Sequence, residues 1–160
     1  MTLDALSATP LPSAGSGLSK ARLRLWLRLL KLSSGIEGTL RRNLRDAHAT
    51  TLPRFDVMAA LARHPEGLKM TDLSAYLKVS NGNVTWIVDR LVEDGLAERT
   101  AVPGDKRASL AGLTGHGHRI FAELARAHET WIDGLLGALT EAETMQMIAL
   151  LDKALKTGDR

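Results

Sequence analysis

The sequence predicts a mainly α-helical protein carrying one small β-hairpin, and three observations predict it. Apolar residues recur at three- and four-residue spacing in successive segments from Leu18 to Leu155. A single short stretch, from Leu96 to Leu113, instead alternates around Pro103-Gly104. The composition, 44% hydrophobic and 24% charged over 160 residues, is that of one globular domain with its own core. Cysteine is absent, which excludes disulfides, thiolate metal sites and thiol redox sensing. No apolar run approaches the roughly 18 residues of a membrane span, and the N-terminus lacks a signal pattern, so a soluble cytoplasmic protein is expected.

Residues 1–17 hold Pro10, Pro12, Gly15 and Gly17 among small polar residues without periodicity, and read as a disordered tail. One domain is expected over 18–160. Its first helix runs from Leu18 toward Asp46 with Ser19 as cap, and apolar residues on nearly every side, among them Leu23, Trp26, Leu27 and Leu30, suit a helix buried against several partners. For so small a chain the expected cover is a second subunit. Arg24, Arg28, Lys31, Gly35, Gly38, Arg42 and Arg45 follow at alternating steps of four and three, which lines basic groups along one face with two glycines between them. Glycine in a helix costs about 1 kcal/mol relative to alanine, so the pair implies a neighbouring helix close by, a small anionic ligand resting there, or a helix break near Gly35.

Thr51-Leu52-Pro53 opens the next helix, with core residues Phe55, Met58, Ala59 and Leu61, and His64-Pro65-Glu66-Gly67 closes it. Leu68-Lys69-Met70 is long enough only for an edge strand. Helices over 71–78 and 81–93 follow, joined through Val79-Ser80, with Ser80 capping the second. Val84, Val88 and Leu91 make the buried stripe of that second helix and leave Asn83, Trp86 and Arg90 opposite. Two short helices with a tight connection, the second polar on its exposed face, are the sequence form of a helix-turn-helix. Leu96 to Val102 and Ala108 to Leu113 read as a hairpin around the turn Pro103–Arg107, and a hairpin placed directly after such a unit reads as a wing reaching the DNA backbone or minor groove. Thr114 caps a long helix with Ile120, Phe121, Leu124, Trp131, Leu135 and Leu136. Thr140–Glu143 is a capping box for a last helix with core face Met147, Ile148, Leu151 and Leu155. The first and the last two helices carry more apolar surface than the chain can cover, so an intertwined homodimer through 18–46 and 114–156 is expected, flanking a DNA-binding unit over 53–113.

The net charge of +3 is unevenly placed: residues 19–45 hold eight basic side chains against Glu37, whereas 46–113 hold eight basic against nine acidic. The basic excess is therefore not on the recognition helix.

Leu52-Pro53-Arg54-Phe55-Asp56-Val57, Val84-Thr85, Val88-Asp89-Arg90-Leu91, Asp94-Gly95-Leu96, Asp105-Lys106-Arg107 and Leu113-Thr114, in this order of elements, resemble the MarR family of bacterial winged helix-turn-helix regulators. The resemblance covers nearly everything from Leu18 to Lys156. It implies that Asp105 braces Arg107, and that Arg107 enters the minor groove. Trp86 stands where the family often has arginine, Lys78 where many such turns have glycine, and Gly115-His116-Gly117-His118 where Pro-Glu-Gly-Arg is usual. Without cysteine, members that sense oxidants through a thiol are not models. The runs Leu52–Val57 and Ser80–Thr85 look most like members that govern catabolism of aromatic acids and respond to the acids or their coenzyme A thioesters.

The expected function is a homodimeric, ligand-responsive regulator on a palindromic operator in double-stranded DNA. Asn81, Asn83, Thr85 and Trp86 are the candidate base contacts, and Ser80, Arg90, Lys106 and Arg107, with Asp105 as brace, the candidate phosphate and minor-groove contacts. Arg24, Arg28, Gly35, Gly38 and Arg42, with Trp26 and Phe55 as aromatic surface, are candidates for a small anionic effector. The alternative is a sequence-neutral architectural DNA binder without an effector. No nucleophile with a base and no phosphate loop supports an enzyme, no cofactor is expected, and His116, His118 and His128 lack the carboxylate or thiolate partners of a metal site.

Overall fold

The computed structural model describes residues 17–102 and 104–158, without the side chains at 106, 107, 157 and 158. The tail expected over 1–17 lies outside these residues except for Gly17. The elements are α1 (Gly17–His48), α2 (Leu52–Ala62), β1 (Leu68–Lys69), α3 (Met70–Leu77), α4 (Asn81–Glu93), β2 (Ala97–Val102), β3 (Asp105–Leu113), α5 (Gly115–Leu136) and α6 (Glu141–Gly158). Contacts divide the chain into two units, Met1–Gly38 and Thr39–Arg160.

In the first unit α1 is helical through Gly35, so the expected break is not there, and Ser19 falls inside the first turn rather than at the cap. Leu23, Leu25, Trp26 and Leu27 are each more than half exposed, on a helix for which a second subunit is the expected cover. A Cβ added at Gly35 would meet nothing within 4 Å.

In the second unit the core is built from Leu40 and Leu44 at the end of α1, Leu52, Phe55, Val57, Met58, Ala60 and Leu61 of α2, Leu73 of α3, four residues of α4, and Leu124 of α5. Helix starts follow local chemistry. Thr51 accepts the Arg54 N–H ahead of α2, where Pro53 sits in the first turn and lacks only a donor that the helix would leave unpaired. Ahead of α6, Thr140 Oγ1 accepts the Glu143 N–H at 3.3 Å while Glu143 Oε2 accepts the Thr140 N–H at 2.9 Å, a reciprocal capping box. The Thr140 N–H, then its hydroxyl, holds the Glu143 carboxyl below its ordinary value. This cap is therefore present at neutral pH and is lost as acid titrates the carboxylate.

The sheet has order β1-β3-β2, all antiparallel, with Ala97 opposite Leu113, Arg99 opposite Ala111 and Leu68 opposite Ala111 on the other side. β1 is an edge strand, as its length predicts. The hairpin turn is shorter than expected: Val102 pairs with Asp105, Gly104 takes φ 83°, and Asp105 to Arg107 belong to β3 rather than to the turn. Gly104 takes the left-handed conformation that glycine adopts without strain, and the register shifts between Ala101, opposite Ser109, and Val102, opposite Asp105.

α6 is open on the face for which a second subunit is the expected cover. Ile148, Leu151 and Leu155 are 47%, 40% and 69% exposed, so the face expected to be core is a free apolar surface in the single chain. Met145, 61% exposed, extends the same stripe at helical spacing.

Candidate nucleic-acid interface

The helix-turn-helix is α3, a three-residue connection and α4. α3 ends because Lys78 adopts the left-handed conformation (φ 54°, ψ 39°), letting the Val79 N–H reach back to the Ser74 carbonyl at 3.2 Å. Lysine is an uncommon residue there, and a local bond compensates: the Ser74 hydroxyl donates to the Val79 carbonyl and holds the turn from its other side. Ser80 then caps α4 by accepting the Asn83 N–H at 3.4 Å. Capping uses an oxygen lone pair and leaves the hydroxyl proton able to donate, which suits the phosphate role assigned to Ser80.

Val84, Ile87, Val88 and Leu91 of α4 are buried against the core. Ile87 belongs to this stripe as well as Val84, Val88 and Leu91, and its spacing of three from Val84 is the sequence signal for it. Asn81, Asn83, Trp86 and Arg90 are exposed, whereas Thr85 is only half-exposed and presents less of itself than the other candidates. Asn83 also borders a cavity of about 230 Å³ with Arg41, Asp56 and Leu77. Trp86 is 60% exposed, with the Arg90 guanidinium 5.6 Å from its ring centroid. Arg90 in turn bonds Glu93 at 2.7 Å.

Two ion pairs hold α4 in place; Arg54, Asp89 and Asp94 stand in the motifs that carry the family resemblance, but neither pairing is readable from the sequence. Arg99 of β2 bonds Asp89 at 2.7 Å, tying the wing to the middle of α4. Arg54 of α2 bonds Asp94, the C-cap of α4, at 2.5 Å across 40 residues of sequence. No local pattern signals a partner at that separation. At the exit from α4, Thr114 Oγ1 donates to the Gly95 carbonyl at 2.7 Å and accepts the Gly117 N–H at 2.9 Å, while the Thr114 N–H bonds the Leu96 carbonyl at 3.1 Å. The start of α5 is thereby bolted to the turn that ends the recognition helix.

In the wing, Asp105 opens β3 and borders a surface groove of about 380 Å³ together with Lys69, Arg99 and Ser109. Lys106 and Arg107 follow in β3, and their side chains lie outside the described residues, as does the brace expected between Asp105 and Arg107.

Of the effector candidates, Arg24, Trp26, Arg28, Gly35 and Gly38 belong to the first unit, with Trp26 54% exposed. Arg42 and Phe55 belong to the second. Arg42 donates to Thr39 Oγ1 at 3.0 Å. Phe55 is a core residue rather than open aromatic surface: it is 7% exposed, stacked on His128 at 4.7 Å and tilted against Phe121 at 5.7 Å. The physical reason is its place on the inner face of α2 beside Met58, opposite α5. His116 and His118 are both exposed, and among the described residues no group of three metal-ligating side chains converges. Among those residues, too, no helix is long and apolar enough to cross a membrane.

Comparison with known proteins bears on this geometry. The sequence profile of the MarR family matches residues 50–108. The chain is 31% identical over 115 residues to the uncharacterised HTH-type transcriptional regulator YkoM of Bacillus subtilis, covering 70% of this chain and 73% of that protein. A MarR family transcriptional regulator from Silicibacter pomeroyi superposes with a TM-score of 0.74 at 36% identity, covering 89% of this chain and 99% of that one. A mutant MarR from E. coli, solved in complex with operator DNA, superposes with a TM-score of 0.72 at 26% identity, covering 88% and 99%.

Proposed function

From the premise that this chain belongs to the MarR family, and is a DNA-binding transcriptional regulator rather than an enzyme, we propose that it is a homodimeric repressor of an aromatic-compound catabolic operon. A small anionic aromatic acid or its coenzyme A thioester releases it from a palindromic operator. The observation that carries the DNA-reading part is the outward face of α4, where Asn81, Asn83, Trp86 and Arg90 stand exposed directly before a hairpin. Each subunit lays α4 in a major groove and its wing beside it, so the operator has half-sites about one turn apart.

The effector part rests on charge. Residues 46–113, which hold every DNA-contact candidate, are nearly neutral, so the arginines of α1 at 24, 28 and 42 are available for a different anion. The effector acts by binding more tightly to a subunit spacing that does not fit DNA, since equal affinity for both states shifts nothing. The likeness of Leu52–Val57 and Ser80–Thr85 to regulators of aromatic-acid catabolism supports the choice of ligand class.

Two expected results follow for binding assays. Arg107→Ala weakens binding to every DNA sequence and lowers the slope of log affinity against log salt by about 1 per wing, while Asn83→Ala leaves the slope alone and relaxes preference at one position. An unchanged slope removes Arg107 from the phosphate-facing set. For the effector, aromatic acids and their thioesters are screened for release of the protein from its own upstream DNA. The active compound should release wild type but not Arg28→Ala or Arg42→Ala, and normal release of both variants rejects the arginines as its site. Competition with unrelated DNA at physiological salt separates a regulator, which keeps a preference of roughly a thousandfold or more, from a sequence-neutral architectural binder.

A further inference from the structure

Trp86 is the side chain on the outward face of α4 whose chemistry phosphate binding does not explain. Its indole is 60% exposed, and the guanidinium of Arg90, one turn along, lies 5.6 Å from its ring centroid. That guanidinium also donates to Glu93, at 2.7 Å. Positions 86, 90 and 93 follow at steps of four and three, so ring, cation and carboxylate form one row along the helix. The row restrains the indole through its face and leaves the rest of its apolar surface to whatever α4 meets. Asn83, three residues before Trp86, places an amide on the same exposed face.

The main apolar feature that the floor of a B-DNA major groove offers is the C5-methyl of thymine; amides and guanidinium groups satisfy the remaining edges. Resting on the reading of α4 as the recognition helix, we propose that Trp86 reads a C5-methyl group on a pyrimidine of each half-site, with Arg90 as the positioning residue that orients the ring. A methyl at C5 of cytosine occupies the same place in the groove, so methylated cytosine satisfies this contact as thymine does.

The test uses the full-length protein and an operator it selects from random-sequence DNA. Each thymine is replaced in turn by deoxyuridine, which removes only the methyl, and each cytosine by 5-methylcytosine, with affinity followed by fluorescence anisotropy. For wild type, one pyrimidine position per half-site should change affinity roughly fourfold with the methyl, the amount expected for burying one such carbon. Trp86→Ala should abolish that difference, Trp86→Phe should keep most of it, and Arg90→Met should reduce the methyl-dependent ratio, whatever it does to total affinity. Circular dichroism confirms that the variants are folded. Tolerance of methyl loss and gain at every position, or a methyl effect that survives Trp86→Ala, overturns the assignment while leaving α4 a DNA reader. Selection that recovers no preferred sequence overturns the reading of α4 itself.

Discussion

Gly117→Ala is expected to destabilise the protein by about 3 kcal/mol, the upper end of what overpacking a closed site costs, which lowers the thermal midpoint by roughly 6–12 °C. The reason is backbone against backbone. A Cβ at this position would overlap the Leu96 carbonyl oxygen and lie 2.8 Å from its carbon and 3.2 Å from the Leu96 Cα. Atoms of that kind have no rotamer by which to retreat. The approach is this close because Thr114 pulls both sides together, donating to Gly95 and accepting from Gly117 through one hydroxyl. Accommodation requires α5 to move away from the turn that ends α4, so operator affinity should fall by at least about tenfold even where the variant is folded, a displacement of the reading head being costly to every contact it makes. Gly115→Ala is the control: its Cβ would meet only the tip of Arg119 at 3.9 Å, and its stability should stay within about 0.5 kcal/mol of wild type. Calorimetry of the pair decides the matter, and a Gly117→Ala protein as stable as Gly115→Ala would show that the close approach is not maintained in solution.

The double variant Ile148→Asp, Leu155→Asp should convert a dimer to a monomer without unfolding the chain. Both side chains are exposed in the single subunit, 47% and 69%, so replacing them costs the subunit itself little. In an interface each would contribute about 1.5–3 kcal/mol by burial, and a carboxylate put in its place opposes association by more than the loss. A monomer holds one half-site at a time. Losing the second should weaken operator binding by on the order of a hundredfold or more, the usual gain from linking two sites. Sedimentation equilibrium with operator titration checks both expectations. A variant that stays dimeric places the subunit contact elsewhere than the Met145, Ile148, Leu151 and Leu155 face.

The parts of this protein that were legible in its sequence are those whose cause is local. Thr51, Ser80, Thr114 and Thr140 start their helices because each oxygen satisfies an N–H three residues on, and that spacing is written in the chain. The outward face of α4 was legible because three of its apolar residues recur at helical spacing. What was not legible depends on distant partners. Phe55 looked available to a ligand until α5 brought His128 and Phe121 onto its ring. Gly117 has its close contact with Leu96, on the far side of the hairpin in sequence. Lys106 and Arg107 looked like turn residues, whereas β3 already begins at Asp105, which pairs with Val102 of the facing strand.

The sequence by itself therefore determined the order of elements and which side chains of α4 look outward, since periodicity and capping act over one or two turns of chain. Only the tertiary structure decided how that helix is held. Arg54 to Asp94, Arg99 to Asp89 and Thr114 to Gly95 join residues 10 to 40 positions apart, and it took folding to bring each donor to its acceptor.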